Sequence, residues 1–128
     1  MRKFYLFFLL TTITGFSQQD AWVYFNGKPN SQLYFDSPLE MLSQRAWDRR
    51  NNQNIALDFK DIPVEASYIS QIKSVAGITI MAKSKWLNAI HVRGEQVAIK
   101  SITTFPFVNK VDFADKSLNT LGKIAKST

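Results

Sequence analysis

"ITIMAKSKWLNAIHVRGEQVAIK", residues 78–100, is the stretch that decides the fold of this chain. Two short apolar and β-branched runs, "ITIMAKS" and "LNAIHVR", lie on either side of Lys85 and Trp86, and the second run ends at Gly94. Such runs, separated by a short connection, are typical of consecutive β-strands. The next segment, "EQVAIKSITTF", predicts a short helix that ends before a proline. Its predicted apolar face consists of Val97, Ala98, Ile102 and Phe105.

The flanking segments extend this alternation of strands and helices. "AWVYFNGKPN", residues 21–30, alternates aromatic and β-branched residues before an Asn-Gly turn, which predicts a first strand. "VEASYISQIKSVAG", residues 64–77, predicts a helix that stops at Gly77. "FVNKVDF", residues 107–113, predicts a last strand. The order βαββαβ predicts an α+β fold of the ferredoxin-like kind, an antiparallel sheet with its helices on one face.

An extra N-terminal helix is predicted between the first strand and the 64–77 helix. "SPLEMLSQRAWDRRNNQN", residues 37–54, begins with Ser37 as N-cap, Pro38 at the first helical position and Glu40 three residues after the cap. Its arginines are predicted to face solvent, and "IALDFKDIP", residues 55–63, is predicted to be an extended connector. The polar tail, residues 114–128, has no predicted place in the core.

The first 17 residues are predicted to be a secretory signal peptide. Arg2 and Lys3 precede an apolar run that is far shorter than the roughly 20 residues of a membrane-spanning helix. Small residues then lead to a predicted cleavage between Ser17 and Gln18. Cleavage would remove two of the positive charges and lower the net charge from +6 to +4. What remains is enough for one domain with a modest core, which is predicted to be secreted.

The residue types exclude most kinds of catalytic or metal chemistry. The chain has no cysteine, and its only histidine, His91, is not accompanied by a G-x-S-x-G elbow, a glycine-rich phosphate loop or a tight carboxylate cluster. We therefore expect no catalytic residue, no metal site and no cofactor, and we interpret His91 as a surface or interface residue. The basic residues are scattered rather than gathered in a stripe, which argues against a nucleic acid partner. A base-stacking sheet is also disfavoured because "VNKVDF" and "ITIMAKS" lack the required motif.

Three segments together carry a family resemblance. "RAWDRRNNQNIALDFKDIPVEASYISQIKS" at 45–74, "SKWLNAIHV" at 84–92 and "TTFPFVNKVDF" at 103–113 resemble, in this order, the N-terminal propeptide of secreted bacterial subtilisin-like (S8 family) serine peptidases. The resemblance implies an inhibitor-like propeptide domain over residues 18–113, and residues 114–128 as a tail or linker toward a peptidase domain. It implies an intramolecular chaperone and inhibitor whose open sheet face packs on the peptidase.

The resemblance also implies the partner and the contact residues. The partner would be a subtilisin-like peptidase domain, in the same precursor or in a separate chain, and the tail after the last strand would lie in its substrate cleft. The candidate peptidase-interface residues are Trp86, Asn88, His91, Phe113, Ala114 and Asp115. The three catalytic motifs of that family are absent from this sequence, and a peptidase domain needs about 250 further residues. We therefore expect the chain itself not to be an enzyme.

Other functions remain open at this point. A stand-alone secreted peptidase inhibitor and a secreted binding module with no peptidase partner both fit the composition, and an enzyme with an unfamiliar site is the third alternative. If His91 lies in an interface, acidification would charge it and loosen the complex. The release of a His91→Leu variant would then lose its pH dependence.

Overall fold

The computed structural model describes residues 17–119. The predicted signal peptide up to residue 16 and the end of the tail from residue 120 onward lie outside the described residues. Four strands and four α-helices are described, together with short 3-10 turns at Pro38–Glu40, Phe59–Asp61, Ile102–Thr104 and Lys116–Leu118. In chain order they are β1 (Gln18–Phe25), α1 (Ser31–Asp36), α2 (Gln44–Asn52), α3 (Ala66–Lys73), β2 (Thr79–Ser84), β3 (Ala89–Glu95), α4 (Gln96–Ser101) and β4 (Val108–Phe113).

The strands form one antiparallel sheet in the order β2-β3-β1-β4. β1 is central and pairs with β3 so that Trp22 lies opposite His91, and with β4 so that Val23 lies opposite Val111. This arrangement confirms the predicted α+β class and is consistent with a ferredoxin-like fold. Since neighbouring strands run in opposite directions, the end of β1, the β2–β3 turn and the start of β4 lie at one end of the sheet. The start of β1 and the end of β4 lie at the other end.

The core lies between one face of the sheet and helices α3 and α4. Ile72 of α3 and Ile99 of α4 are both fully buried, and they pack with the alternate residues of the strands that point to the same side. The buried strand residues in this cluster are Ala21, Val23, Phe25, Ile90, Val92, Val108, Val111 and Phe113. Both helices therefore cover one face of the sheet and leave the other face to solvent.

The predicted N-terminal helix is instead a series of short pieces. Ser37 makes no side-chain cap bond and precedes only the turn Pro38–Glu40, whereas the helix that follows begins after Ser43, whose hydroxyl accepts a hydrogen bond from the Ala46 N–H. The prediction of one continuous helix capped by Ser37 is wrong. The chain turns after Glu40, and Ser43 satisfies the free N–H groups of the new helix.

The connector is not uniformly extended, and Arg50 is not free in solvent. Phe59–Asp61 forms a 3-10 turn closed by a capping box between Asp58 and Asp61. The guanidinium of Arg50 donates to both carboxylate oxygens of Asp61, at 2.7 and 3.0 Å. The buried carboxylate of Asp61 explains why Arg50 turns toward the domain.

Two smaller predictions also need correction. Helix α3 ends at Lys73, and Gly77, with φ of 81°, shapes the turn before β2 instead of closing the helix. Val97 of α4 is 79% exposed, whereas Ile99 of α4 and Ile102 of the 3-10 turn that follows are buried, because positions three apart lie on the same side.

The start of the tail belongs to the domain. Leu118 packs against the core and Asn119 is buried. The Asn119 side-chain oxygen accepts a hydrogen bond from the Phe113 N–H at 2.8 Å, and its amide group donates to Asp112 at 2.9 Å. The prediction that the whole tail lies off the core is therefore wrong up to Asn119.

Candidate functional site

The free face of the sheet presents aromatic and charged side chains. Because successive residues of a strand point to opposite faces, the buried residues Ala21 and Val23 leave Asp20, Trp22 and Tyr24 on the side away from the helices. The same alternation in β3 and β4 places further polar residues on that side. We call this surface the open face, and its residues are Asp20, Trp22, Tyr24, His91, Arg93, Lys110 and Asp112.

An ionic network occupies the part of the open face near the start of β1. His91 Nε2 and Arg93 Nε both lie 2.9 Å from the same carboxylate oxygen of Asp20, and the ring centroids of His91 and Trp22 are 5.6 Å apart. The hydrogen bond from Arg93, and after it the one from His91, lowers the pKa of Asp20 below its ordinary value of 3.8. Asp20 is therefore ionised at neutral pH and holds two side chains of β3 in fixed positions.

The other part of the open face combines a ring with a cation. Lys110 Nζ lies 4.7 Å from the centre of the Tyr24 ring, and these two residues face each other across β1 and β4. Lys116 donates to the Asp112 carboxylate at 2.7 Å. With Trp22 and Tyr24 only partly buried, the face offers flat apolar surface bordered by charge. Partly exposed aromatic residues of this kind are common in protein interfaces.

Asp20, His91 and Arg93 form a hydrogen-bonded network on the open face. Within residues 17–119, no hydrogen bond joins His91 to a hydroxyl group, and its acidic partner Asp20 is shared with Arg93. In the same range, no group of three or more histidine, cysteine, aspartate or glutamate residues is placed to hold a metal ion. Asp20 and His91 are thus a hydrogen-bonded pair on a surface, with an arginine as third member.

The six residues predicted as peptidase contacts are not brought together. Trp86 is 71% exposed in the β2–β3 turn at one end of the sheet, and His91 lies on the open face. Asn88 is buried with φ of 51°, and its amide group donates to the Gly27 carbonyl at 3.0 Å, so it shapes the turn. Phe113 is fully buried in the core, while Ala114 and Asp115 are exposed at the opposite end of the sheet from Trp86.

The predicted signal cleavage point falls immediately before β1. Ser17 is exposed and precedes the strand, and Gln18 is its exposed first residue. Both residues therefore lie at the surface, at the same end of the sheet as Ala114.

Sequence reasoning did not find most of the open face. The sequence singles out His91 as the only histidine, whereas Trp22 is predicted only as a strand residue and Asp20 precedes the predicted strand. The alternation in "DAWVYF", residues 20–25, could have indicated them, because it places one polar and two aromatic side chains on the same face. Arg93 lies two residues after His91 and so shares its side of β3.

Lys28 is the second residue that sequence reasoning missed. Only 5% of Lys28 is exposed. Its ammonium group donates to the carbonyls of Phe59, Ile62 and Lys85. Burial lowers the pKa of Lys28 from its ordinary value of 10.5, and the charge of Lys85 adds to this effect. Lys28 thus ties the connector and the β2–β3 turn to the end of β1.

Residues 17–119 form a small α+β domain, with helices on one face of the sheet and the open face on the other. Comparison with protein families makes the class specific. A family model for the peptidase S8 propeptide domain of Bacteroidota matches residues 20–128, and the chain belongs to this family. No curated protein and no solved structure matches it.

The family assignment carries three consequences. A propeptide domain is not the catalytic part of an S8 peptidase, and its presence implies a subtilisin-like peptidase as partner. The matched range also includes the segment after Asn119, which belongs to the family pattern although it lies outside the described residues.

Within residues 17–119, no helix combines the length and apolar character that crossing a membrane requires.

Proposed function

We propose that this chain is the propeptide of a secreted subtilisin-like serine endopeptidase and acts as its intramolecular chaperone and inhibitor. The observation that carries the proposal is the open face: a chain of this family leaves one whole side of its sheet uncovered, with partly exposed Trp22 and Tyr24 at its centre. Covering these aromatic residues with a partner surface would stabilise a complex. Residues 1–17 would direct export and be removed before Gln18.

The contact residues of this proposal follow from the exposed positions. Trp86, His91, Ala114 and Asp115 are accessible to a partner, and Trp22 joins them at the centre of the open face. Asn88 and Phe113 are buried in the turn and in the core. We therefore assign those two residues to the stability of the domain and leave them out of the interface.

The position of the tail is the second element of the proposal. Family resemblance placed its start near Phe113, but hydrogen bonds from Phe113 and to Asp112 hold Asn119 against the domain. We propose that the segment entering the substrate cleft begins after Asn119. An extended segment there would pair its main chain with the peptidase, as in strand addition.

A propeptide with these properties favours the folded peptidase by mass action. Binding the native peptidase and not its unfolded form stabilises it by RT ln(1 + [L]/Kd), and covalent connection raises the effective concentration to the millimolar range. The propeptide itself has no disulfide and only a small core, so its own stability is expected to be modest. Partner binding would therefore stabilise both components.

The test is to combine the purified protein with a purified S8 peptidase domain from a member of the Bacteroidota. We expect inhibition of peptide hydrolysis at micromolar concentration or below, and a higher yield of active peptidase when the denatured domain is refolded in its presence. A Trp22→Ala variant should raise the inhibition constant about tenfold or more, since removing a central aromatic contact commonly costs 1.4 kcal/mol or more.

Val97→Ala serves as the matched control, because Val97 is an exposed apolar residue of α4, on the opposite side of the sheet. It should leave inhibition unchanged. Binding without inhibition or improved refolding would favour the binding-module alternative. Inhibition without any effect on refolding would favour a stand-alone inhibitor. If neither binding nor inhibition occurs at micromolar concentration, the proposal is wrong.

A further inference from the structure

Residues 29–60, which we call the arm, form a quarter of the chain without a single buried residue. The arm contains α1, the 3-10 turn Pro38–Glu40 and α2, and neither helix has a buried position. Large apolar side chains remain in solvent along its whole length. They are Leu33, Leu39, Ile55 and Phe59, which are between 43% and 57% exposed.

The arm is nevertheless locally ordered and fixed at its base. Ser43 caps α2, and the two hydrogen bonds from Arg50 to Asp61 attach the end of α2 to the domain. Asn30 donates to the Glu65 carboxylate at 2.8 Å at the other end of the arm. The arm therefore has a defined attachment, but four of its large apolar residues are left exposed. A monomeric domain gains little from folding such a segment, because burial of apolar side chains is the main source of stability.

Charge indicates what kind of surface would cover the arm. Arg45 and Arg49 lie one turn apart on α2, both are exposed, and neither makes an ion pair within residues 17–119. Arg49 also lines a shallow hollow with Arg50 and Ile55. The Arg49 guanidinium beside Ile55, with Arg45 one turn away, suits an acidic residue on a partly apolar surface.

The location of the arm favours the peptidase as the partner. Lys28 connects the base of the arm to the β2–β3 turn through the Phe59 and Lys85 carbonyls, so the base lies at the end of the sheet where Trp86 and Leu87 are exposed. Asn119, the last described residue of the tail, lies at the opposite end of the sheet. β1 is about 25 Å long. A partner that covers the open face and binds the tail at one end of β1 therefore also reaches the base of the arm at the other end.

We infer that the arm is a second docking element, which contacts an acidic and partly apolar surface of the S8 peptidase domain remote from its substrate cleft. This inference rests on the proposed function, because it takes the peptidase as the partner. The arm adds contacts that neither the open face nor the tail provides. Its exposed arginines are the residues that select the partner, since arginine is enriched among the residues that dominate interface energies.

The experiment measures inhibition of the same Bacteroidota S8 peptidase domain by the intact protein and by two arm variants. The double variant Arg45→Glu/Arg49→Glu reverses two exposed charges, and Leu39→Ser removes an exposed apolar contact. We expect the inhibition constant to rise about 10- to 100-fold for the charge reversal and about 3- to 10-fold for Leu39→Ser. The wild-type complex should weaken with salt more steeply than the charge-reversed complex.

Lys100→Glu is the matched control, because Lys100 is an exposed lysine of α4 on the helix side of the sheet. Its inhibition constant should stay within twofold of wild type. Circular dichroism must show the same fold for all variants. If the double variant does not fold, the inhibition constant of Leu39→Ser alone still tests the inference.

Three results would overturn the inference. If both arm variants inhibit like wild type while Trp22→Ala is impaired, the arm is not part of the interface and the proposed function stands. If the wild-type protein does not inhibit at all, the inference and the proposed function both fail. If sedimentation shows that wild type self-associates and the arm variants do not, the arm binds a second copy of this chain instead.

Discussion

Replacing Lys28 by methionine tests whether a buried ammonium group holds the arm end of the domain together. Methionine keeps an unbranched apolar stem of similar length but removes every donor. The carbonyls of Phe59, Ile62 and Lys85 then lose the group that joins them, and the bond to Ile62 is the most buried of the three. These carbonyls come from two segments far apart in sequence from Lys28, and strand pairing does not connect the one with Phe59 and Ile62 to the sheet, so the substitution releases that segment.

The magnitude follows from two opposing effects. A buried carbonyl left without a partner costs about 1–3 kcal/mol, and the two partly buried carbonyls regain some hydration. Against this, the wild type pays for burying a charge, as the lowered pKa of Lys28 indicates, and methionine removes that cost. We expect a net loss of about 2 kcal/mol. For a domain of about 100 residues this loss lowers Tm by about 8–16 °C.

The assay is urea unfolding followed by circular dichroism, with the midpoint compared at constant slope. Lys100→Met is the control because Lys100 is exposed on α4, and its midpoint should change by the equivalent of less than about 0.5 kcal/mol. Hydrogen exchange should also accelerate in the 3-10 turn Phe59–Asp61 and in the β2–β3 turn. If Lys28→Met unfolds at the same urea concentration as Lys100→Met, the carbonyl cage contributes nothing and the reasoning fails.

Two further predictions concern the sheet. Gly94→Ala would place a Cβ 2.6 Å from the Gly77 carbonyl oxygen and should cost about 1–3 kcal/mol in chemical unfolding, whereas Gly27→Ala, with no atom within 4 Å, should be neutral or slightly stabilising. Because the folded-state pKa of Asp20 is below 3.8, its ion pairs stabilise the domain at and above that pH, and this contribution is lost as the pH falls through the folded-state pKa. Asp20→Asn should therefore lose less stability than wild type during acid titration below pH 4, and an identical acid transition would contradict this assignment.

The sheet could be predicted from the sequence because each strand carries a local pattern. The residues of β3 alternate between the core and the open face, and those of β1 do the same, so period-2 alternation located both strands. Helix α4 shows the limit of this reasoning. In a helix of six residues, the sequence is compatible with a buried face through Val97 or through Ile99. Packing against the sheet determines that Ile99 is the buried one.

Residues that act through distant partners could not be predicted. Lys28 stands in a turn sequence, where a lysine is usually solvated, and its acceptors are 31, 34 and 57 positions away. Asp20 pairs with His91 across 71 positions. The register of β1 and β3 determines that pairing, and a single sequence does not specify a register before the strands are known to be neighbours.

The arm shows why a correct local pattern leaves function undecided. Apolar residues at helical spacing between Leu39 and Ala46 predicted an amphipathic segment, and such a stripe normally faces a core. In α3 and α4 the sheet covers the equivalent residues Ile72 and Ile99. The sheet has no second covered face to offer the arm, so none of its apolar residues is buried and Leu39 remains exposed. A propeptide binds a larger partner. An amphipathic segment that its own fold does not cover is therefore the place to look for a further contact surface.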